Sequence, residues 1–244
     1  MEINTAMILA GGKGTRFKEK TEKLPKPMIK ANGKPLLIYI MEHYMRYGVK
    51  NFIILTGYKH KYIVDYFNKN SEKRSSTKFV YKNNFNVQVL FTGLNSMTGW
   101  RIKKGIENLE EEIFFLTYGD GISDVNLDKL KDLHYKNKTL ATLTAVRPPA
   151  RFGSLEIKNK KVLKFGEKNQ ANEGWINGGY FILNKKVEKY LRSKNEIFER
   201  YPLEILAKNN QLSAYHHLGF WQPVDTIREL EILEEELKNM KKKL

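Results

Sequence analysis

The chain has 244 residues, with 43 Lys and Arg against 27 Asp and Glu, a formal net charge of +16, and no cysteine. That length suits one large α/β domain with a sizeable core, while the missing cysteines exclude disulfides, thiolate nucleophiles and cysteine-ligated metal centres and fit the cytoplasm. The longest apolar run, Leu36 to Met41, is far too short to cross a bilayer, no secretory signal is expected at MEINTAMILAGG, and acidic residues interleave the basic ones throughout, so neither a membrane nor a nucleic acid is an expected partner.

Thr5 to Ala10 reads as a buried strand that runs into Gly11 and Gly12. Pro35 to Tyr47 has helical spacing and stops at Gly48, and Asn51 to Leu55 is the next strand, which completes a βαβ unit. The alternation continues with a helix around Tyr62 to Asn68, a strand at Val87 to Phe91, a helix near Arg101 to Leu109 and a strand at Ile113 to Tyr118. It predicts an α/β fold with a Rossmann-like, doubly wound, mostly parallel sheet. A helix at Leu127 to Asn137 and a strand at Leu140 to Val146 follow. Strands then dominate: a hairpin from Ser154 to Ile157 and Val162 to Phe165, and a strand at Tyr180 to Leu183, read as a mixed-sheet elaboration. Ile227 to Leu244 is helical, acidic early and basic late, as the helix dipole favours. With no linker and no repeat, 1–244 is expected to be a single domain, 1–126 mainly nucleotide-binding and 127–244 mainly acceptor-binding.

Three places carry chemistry. LAGGKGTR, Leu9 to Arg16, lies where a first strand should end, and its glycines let backbone amides approach an anion, while Thr15 and Arg16 add donors. Its spacing matches neither a dinucleotide fingerprint nor a Walker loop. In Pro25 to Met28 two prolines hold Lys26 rigid, which suits a lysine aimed at a transferring phosphate. Asp120, in TYGDG, and Asp225, in GFWQPVDT, are hard oxygen donors that could share one Mg²⁺ if the fold brings them together. The five histidines show no metal-ligand spacing and read as structural.

These motifs, together with GYK, SMTGWR, ATLTAVRPPARFG, GEK and INGGYF, fall in one order from about Met1 to Leu233. In that order the chain resembles the sugar nucleotidyltransferases, and SMTGWR, PPARFG and FWQPVDT are similar to their cytidylyl branch. The resemblance implies the nucleotide-diphospho-sugar transferase fold. It also implies Mg²⁺-dependent transfer of CMP from CTP to α-D-glucose 1-phosphate by in-line attack, giving CDP-glucose and pyrophosphate. By the same resemblance Leu9, Ala10, Gly11, Gly12, Gly14, Thr15, Arg16, Ser96, Arg101 and Gly119 hold the nucleotide. Arg16, Lys26, Asp120 and Asp225 are catalytic, the two aspartates hold Mg²⁺, and Tyr118, Glu167, Lys168 and Asn177 bind the sugar phosphate. Arg101 could give cytosine the donor pair that its O2 and N3 accept. A phosphate monoester is already an anionic nucleophile, so no Ser, Cys or His nucleophile is needed. Another phosphate monoester as acceptor, or a non-catalytic nucleotide-binding homologue, stays open. Trp100 stands where a small residue is expected, either reshaping the base pocket or simply packing. The segment between Tyr66 and Val87 is shorter than the family's, which leaves a homo-oligomer open.

Overall fold

The structure, a computed structural model, describes residues 2–148, 154–166 and 174–242. Strand β1 (Thr5–Ala10) leads through a short helix α1 (Lys18–Thr21) and a 3-10 turn at Lys26–Met28 to the two-residue strands β2 (Lys30–Ala31) and β3 (Lys34–Pro35). Then come α2 (Leu36–Arg46), β4 (Asn51–Thr56), α3 (His60–Asn70), β5 (Glu72–Lys73), β6 (Lys78–Tyr81), β7 (Phe85–Phe91), α4 (Thr98–Ile106), β8 (Ile113–Tyr118), β9 (Gly121–Ser123) and α5 (Leu127–Asn137). The rest is β10 (Ala141–Val146), the hairpin β11 (Ser154–Lys158) and β12 (Lys161–Gly166), β13 (Ile176–Asn184), α6 (Tyr201–Lys208), β14 (Leu212–His217), β15 (Trp221–Pro223) and α7 (Ile227–Lys242).

Nine strands form one sheet in the order β14-β10-β13-β8-β1-β4-β7-β6-β5. Strand β1 is parallel to both β4 and β8, so the chain order reverses direction across β1, the topological switch point at which open α/β sheets bind ligands. Alternation along β1 divides the core. Ala6, Ile8 and Ala10 pack with Leu37, Ile40, Met41 and Tyr44 of α2, and Met7 and Leu9 pack with Ile102 and Ile106 of α4 and with Phe198 and Leu206. Both faces of the parallel centre are therefore covered, which explains why its strands read as unbroken apolar runs.

In the latter half the hairpin β11–β12 pairs only with itself, while the other long strands join the main sheet. Strand β13 runs antiparallel between β8 and β10, and β14 is parallel to β10, so these strands extend the same sheet. Strand β13 also begins earlier than the apolar pattern suggests. Gly178 and Gly179 interrupt that pattern at a register shift opposite Leu143 to Ala145, with Gly179 at φ +80 against the ring of Tyr118. The segment between α3 and β7 supplies the antiparallel edge strands β5 and β6. Among the described residues no helix is long and apolar enough to cross a membrane.

Two histidines sit in this scaffold as packing groups. His43 and His134 are buried, His134 with its Nδ1 2.8 Å from Thr142 Oγ1, and burial pulls each from 6.5 down to about 4. Their folded pKa values are depressed, so the stability they support is complete above pH 6.5. It drains away as the pH falls towards 4, at roughly 1.4 kcal/mol per pH unit for each. Thermal melts followed by circular dichroism between pH 7 and 4.5 should show Tm falling, and His134→Gln should flatten the slope.

Candidate active site

A cleft of about 490 Å³ opens at the switch point, lined by Leu9 and Ala10 at the end of β1, by Gly11, Gly12, Gly14 and Thr15 from the turn after it, by Gly119 and Asp120 after β8, and by Lys26 and Asp225. Gly119 N donates to Leu9 O at 3.0 Å, so the two strand ends share one floor. Lys26 is almost fully buried. Pro25, extended at φ −69, starts the 3-10 turn that carries it, and Ile29 N donates back to Lys26 O at 3.0 Å. The proline-framed lysine is thus a fixed strut aimed inward.

Lys26 Nζ lies 2.6 Å from Asp120 Oδ2 and 2.6 Å from Asp225 Oδ1. Burial favours the neutral amine, but Asp120 first and then Asp225 outweigh it, and the ammonium is held above the usual lysine range. Two acids that are 94 and 199 residues from this lysine along the chain therefore face one point. The fold brings them there by pairing β9 with β15, Gly121 opposite Pro223, and by the bond from Val224 N to Asp120 O at 3.0 Å. The start of α7 fixes the second acid further. Glu229 N donates to Thr226 Oγ1 at 3.2 Å while the Glu229 carboxylate accepts from Asp225 N at 2.8 Å, a capping box displaced by one residue.

The other wall is built around Arg101, buried on α4. Its Nη1 donates to Thr56 O, Thr92 Oγ1 and Gly93 O, and its Nη2 donates to Gly11 O at 3.0 Å. Burial pulls the guanidinium down to about 10, so it stays charged at neutral pH. One buried cation therefore ties together the turns after β1, β4 and β7. A Cβ at Gly11 would stand 2.2 Å from that guanidinium, which is why only glycine fits there.

The Nucleotidyl transferase family matches residues 5–235. The glucose-1-phosphate cytidylyltransferase of Salmonella typhimurium is 41% identical over 241 residues, 94% of each chain. This chain belongs to the nucleotidyl transferases. The D-glycero-alpha-D-manno-heptose 1-phosphate guanylyltransferase of Aneurinibacillus thermoaerophilus is 34% identical over 185 residues, 75% of each chain. Among solved structures, HddC from Yersinia pseudotuberculosis complexed with GMP-PN superposes with a TM-score of 0.71 at 27% identity, covering 96% of this chain and 100% of its own. The nucleotide-diphospho-sugar transferase fold expected from the motifs is the one present.

In this nucleotidyl transferase the cleft gathers most of the residues that the sequence singles out, and it alters the reading of several. Glu167 and Lys168 lie outside the described residues, and of Arg16 only the backbone is described, in the 3-10 turn Thr15–Phe17. Ser96 lines the cleft, but its hydroxyl is given to Thr92 O at 2.6 Å. The donor pair expected of Arg101 for cytosine is largely spent on backbone, leaving at most Nε–H and one Nη2 hydrogen for a ligand. Tyr118 gives its proton to Glu199 Oε1 at 2.7 Å and accepts from Asn177 Nδ2 at 3.1 Å. Burial, then the Glu199 charge, keep this phenol protonated far beyond its usual range. Trp100 does not line the cleft; it packs under Lys104. Glu199 itself carries no motif and was not anticipated.

Removing the Arg101 strut takes a donor from each of these oxygens; Thr56 O keeps Thr92 N and Gly11 O keeps Tyr58 N, so the loss falls on Gly93 O and Thr92 Oγ1, at about 1–3 kcal/mol for each group left unsatisfied. Arg101→Ala should therefore lower Tm by several degrees. It should also lower kcat/KM for CTP and UTP by the same factor, because what is lost is the shape of the glycine turn. A loss confined to CTP in paired kinetics would return the residue to reading the base.

Proposed function

We propose that this nucleotidyl transferase moves CMP from CTP to α-D-glucose 1-phosphate, releasing pyrophosphate and CDP-glucose. The observation that carries the reading is the convergence of Lys26, Asp120 and Asp225 at the mouth of the glycine turn in a chain so similar to a cytidylyltransferase. A phosphate oxygen of the sugar ester attacks the α-phosphorus, the bond to the β-bridging oxygen breaks, and pyrophosphate carries that electron pair away. No proton has to move. What remains for the chain is to collect mutually repelling anions, align them and hold the charge that grows on the leaving group.

In this reading the amides of Gly11, Gly12 and Gly14, with Thr15 and Arg16, hold the triphosphate, and Lys26 sits on the phosphate chain next to the α-phosphorus. Asp120 and Asp225 suit a divalent cation: their oxygens already converge on one positive group, and two hard carboxylates plus substrate phosphates make a Mg²⁺ donor set. Bound there, Mg²⁺ would neutralise the pyrophosphate oxygens. Lys168 would take the acceptor phosphate, and Glu167 and Asn177 its hydroxyls. Residues 1–244 act as one catalytic unit on the shared sheet, and a reaction that consumes CTP suits the cytoplasm.

The test is pyrophosphate release by the purified protein with CTP and Mg²⁺ across a panel of sugar phosphates. Glucose 1-phosphate should give the highest kcat/KM. Turnover only with an unrelated phosphate would discard the acceptor, and no turnover with any would discard the reaction.

A further inference from the structure

The start of α4 is held by a segment far along the chain. Met97 N donates to Lys194 O at 3.0 Å and Gly99 N to Glu196 O at 2.9 Å, so these amide donors at the helix N-terminus are spent on the protein. That end of the helix borders the cleft through Ser96, Met97 and Thr98. The same segment then delivers Glu199 into the cleft. Thr98 Oγ1 accepts from Phe198 N at 2.9 Å and donates to Glu199 Oε2 at 2.6 Å, while Tyr118 donates to Oε1. Tyr118 is steadied in turn by Asn177, whose Oδ1 takes Gly179 N at 2.8 Å. Both carboxylate oxygens are thus oriented by neutral donors, and among the described residues no Lys, Arg or His forms an ion pair with Glu199.

We propose that Glu199 is a substrate-binding residue of this site, accepting hydrogen bonds from neighbouring hydroxyls of a sugar ring, the pyranose of the acceptor or the ribose of the nucleotide. This rests on the nucleotidyl transfer proposed above. A carboxylate offers about four acceptor positions, and among the described residues Thr98 and Tyr118 fill two, so two remain for a ligand. A carboxylate with no ion-pair partner among the described residues repels phosphate, which favours the uncharged polyol part of either substrate. The assignment also changes the part played by Tyr118. Its proton is committed, so it acts as a positioning residue that aims Glu199.

The experiment compares each substrate with its deoxy analogue, CTP with 2′-deoxy-CTP and glucose 1-phosphate with 2-deoxyglucose 1-phosphate, in wild type, Glu199→Gln and Tyr118→Phe. Affinities are read by calorimetry and KM and kcat by pyrophosphate release. Glu199→Gln, nearly isosteric, should weaken the hydroxylated member of one pair by about 10- to 100-fold, as expected for a hydrogen bond to a charged group, and its deoxy analogue little. Its kcat should stay within a few-fold. Loss in the nucleotide pair assigns the ribose, and loss in the acceptor pair assigns the pyranose. Tyr118→Phe keeps the carboxylate and should show a smaller loss in the same pair, which also covers a Glu199→Gln protein that fails to fold. Wild-type discrimination retained in both pairs by Glu199→Gln, or by Tyr118→Phe if that is the folded variant, overturns the proposal. Calorimetry reads this without turnover, so an inactive wild type counts against the reaction and not against the residue.

Discussion

Lys26→Ala should lower kcat by about a thousandfold while changing the KM for glucose 1-phosphate only a few-fold. Preorganised donors aimed at developing charge are worth about 3–4 kcal/mol each, and a buried ammonium on a triphosphate belongs at the upper end of that range. The charge it meets grows as pyrophosphate departs, so its contribution is larger in the transition state than in the ground state, and the loss falls on kcat. Steady-state kinetics with CTP saturating and glucose 1-phosphate varied measure both constants. A matching loss in kcat and in acceptor affinity would contradict the role.

Asp225→Asn should abolish measurable turnover while leaving a folded protein. The substitution keeps the shape and removes one of two charges, so Lys26 retains Asp120 as a partner and the cap on α7 keeps its backbone donor. What disappears is half of a proposed cation site, and removing such a ligand commonly costs several kcal/mol of transition-state stabilisation. Mn²⁺ titration in the presence of CTP, followed by electron paramagnetic resonance, should show weaker binding in the variant. Unchanged Mn²⁺ affinity would remove Asp225 from the site even if activity were lost.

The sequence was most readable where chemistry and punctuation coincide. LAGGKGTR is a strand end, a glycine turn and a set of donors in eight letters, and β8 and α5 stand at their expected bounds because their apolar spacing is clean. Convergence was hidden. The three-residue strands β9 and β15 bring Asp120 to Asp225, and a pairing that short leaves no periodicity. Arg101 was visible as a motif residue, but its acceptors are oxygens on three separate turns, which no local pattern announces. Glu199 was invisible because its importance comes from Thr98 and Tyr118 and not from its neighbours. Strand β6 was missed because four residues are too few to show a period, and β14 because it is a polar edge strand with only partial alternation.

The ribbon formed by β9 and β15 works as a ruler. Successive residues on a strand point to opposite sides, so one residue added or removed between Trp221 and Pro223 would turn Asp225 away from Lys26 without disturbing the nine-stranded sheet. Length variation among functional descendants of this chain should therefore gather at surface turns such as Lys82 to Asn84 and spare those three positions entirely.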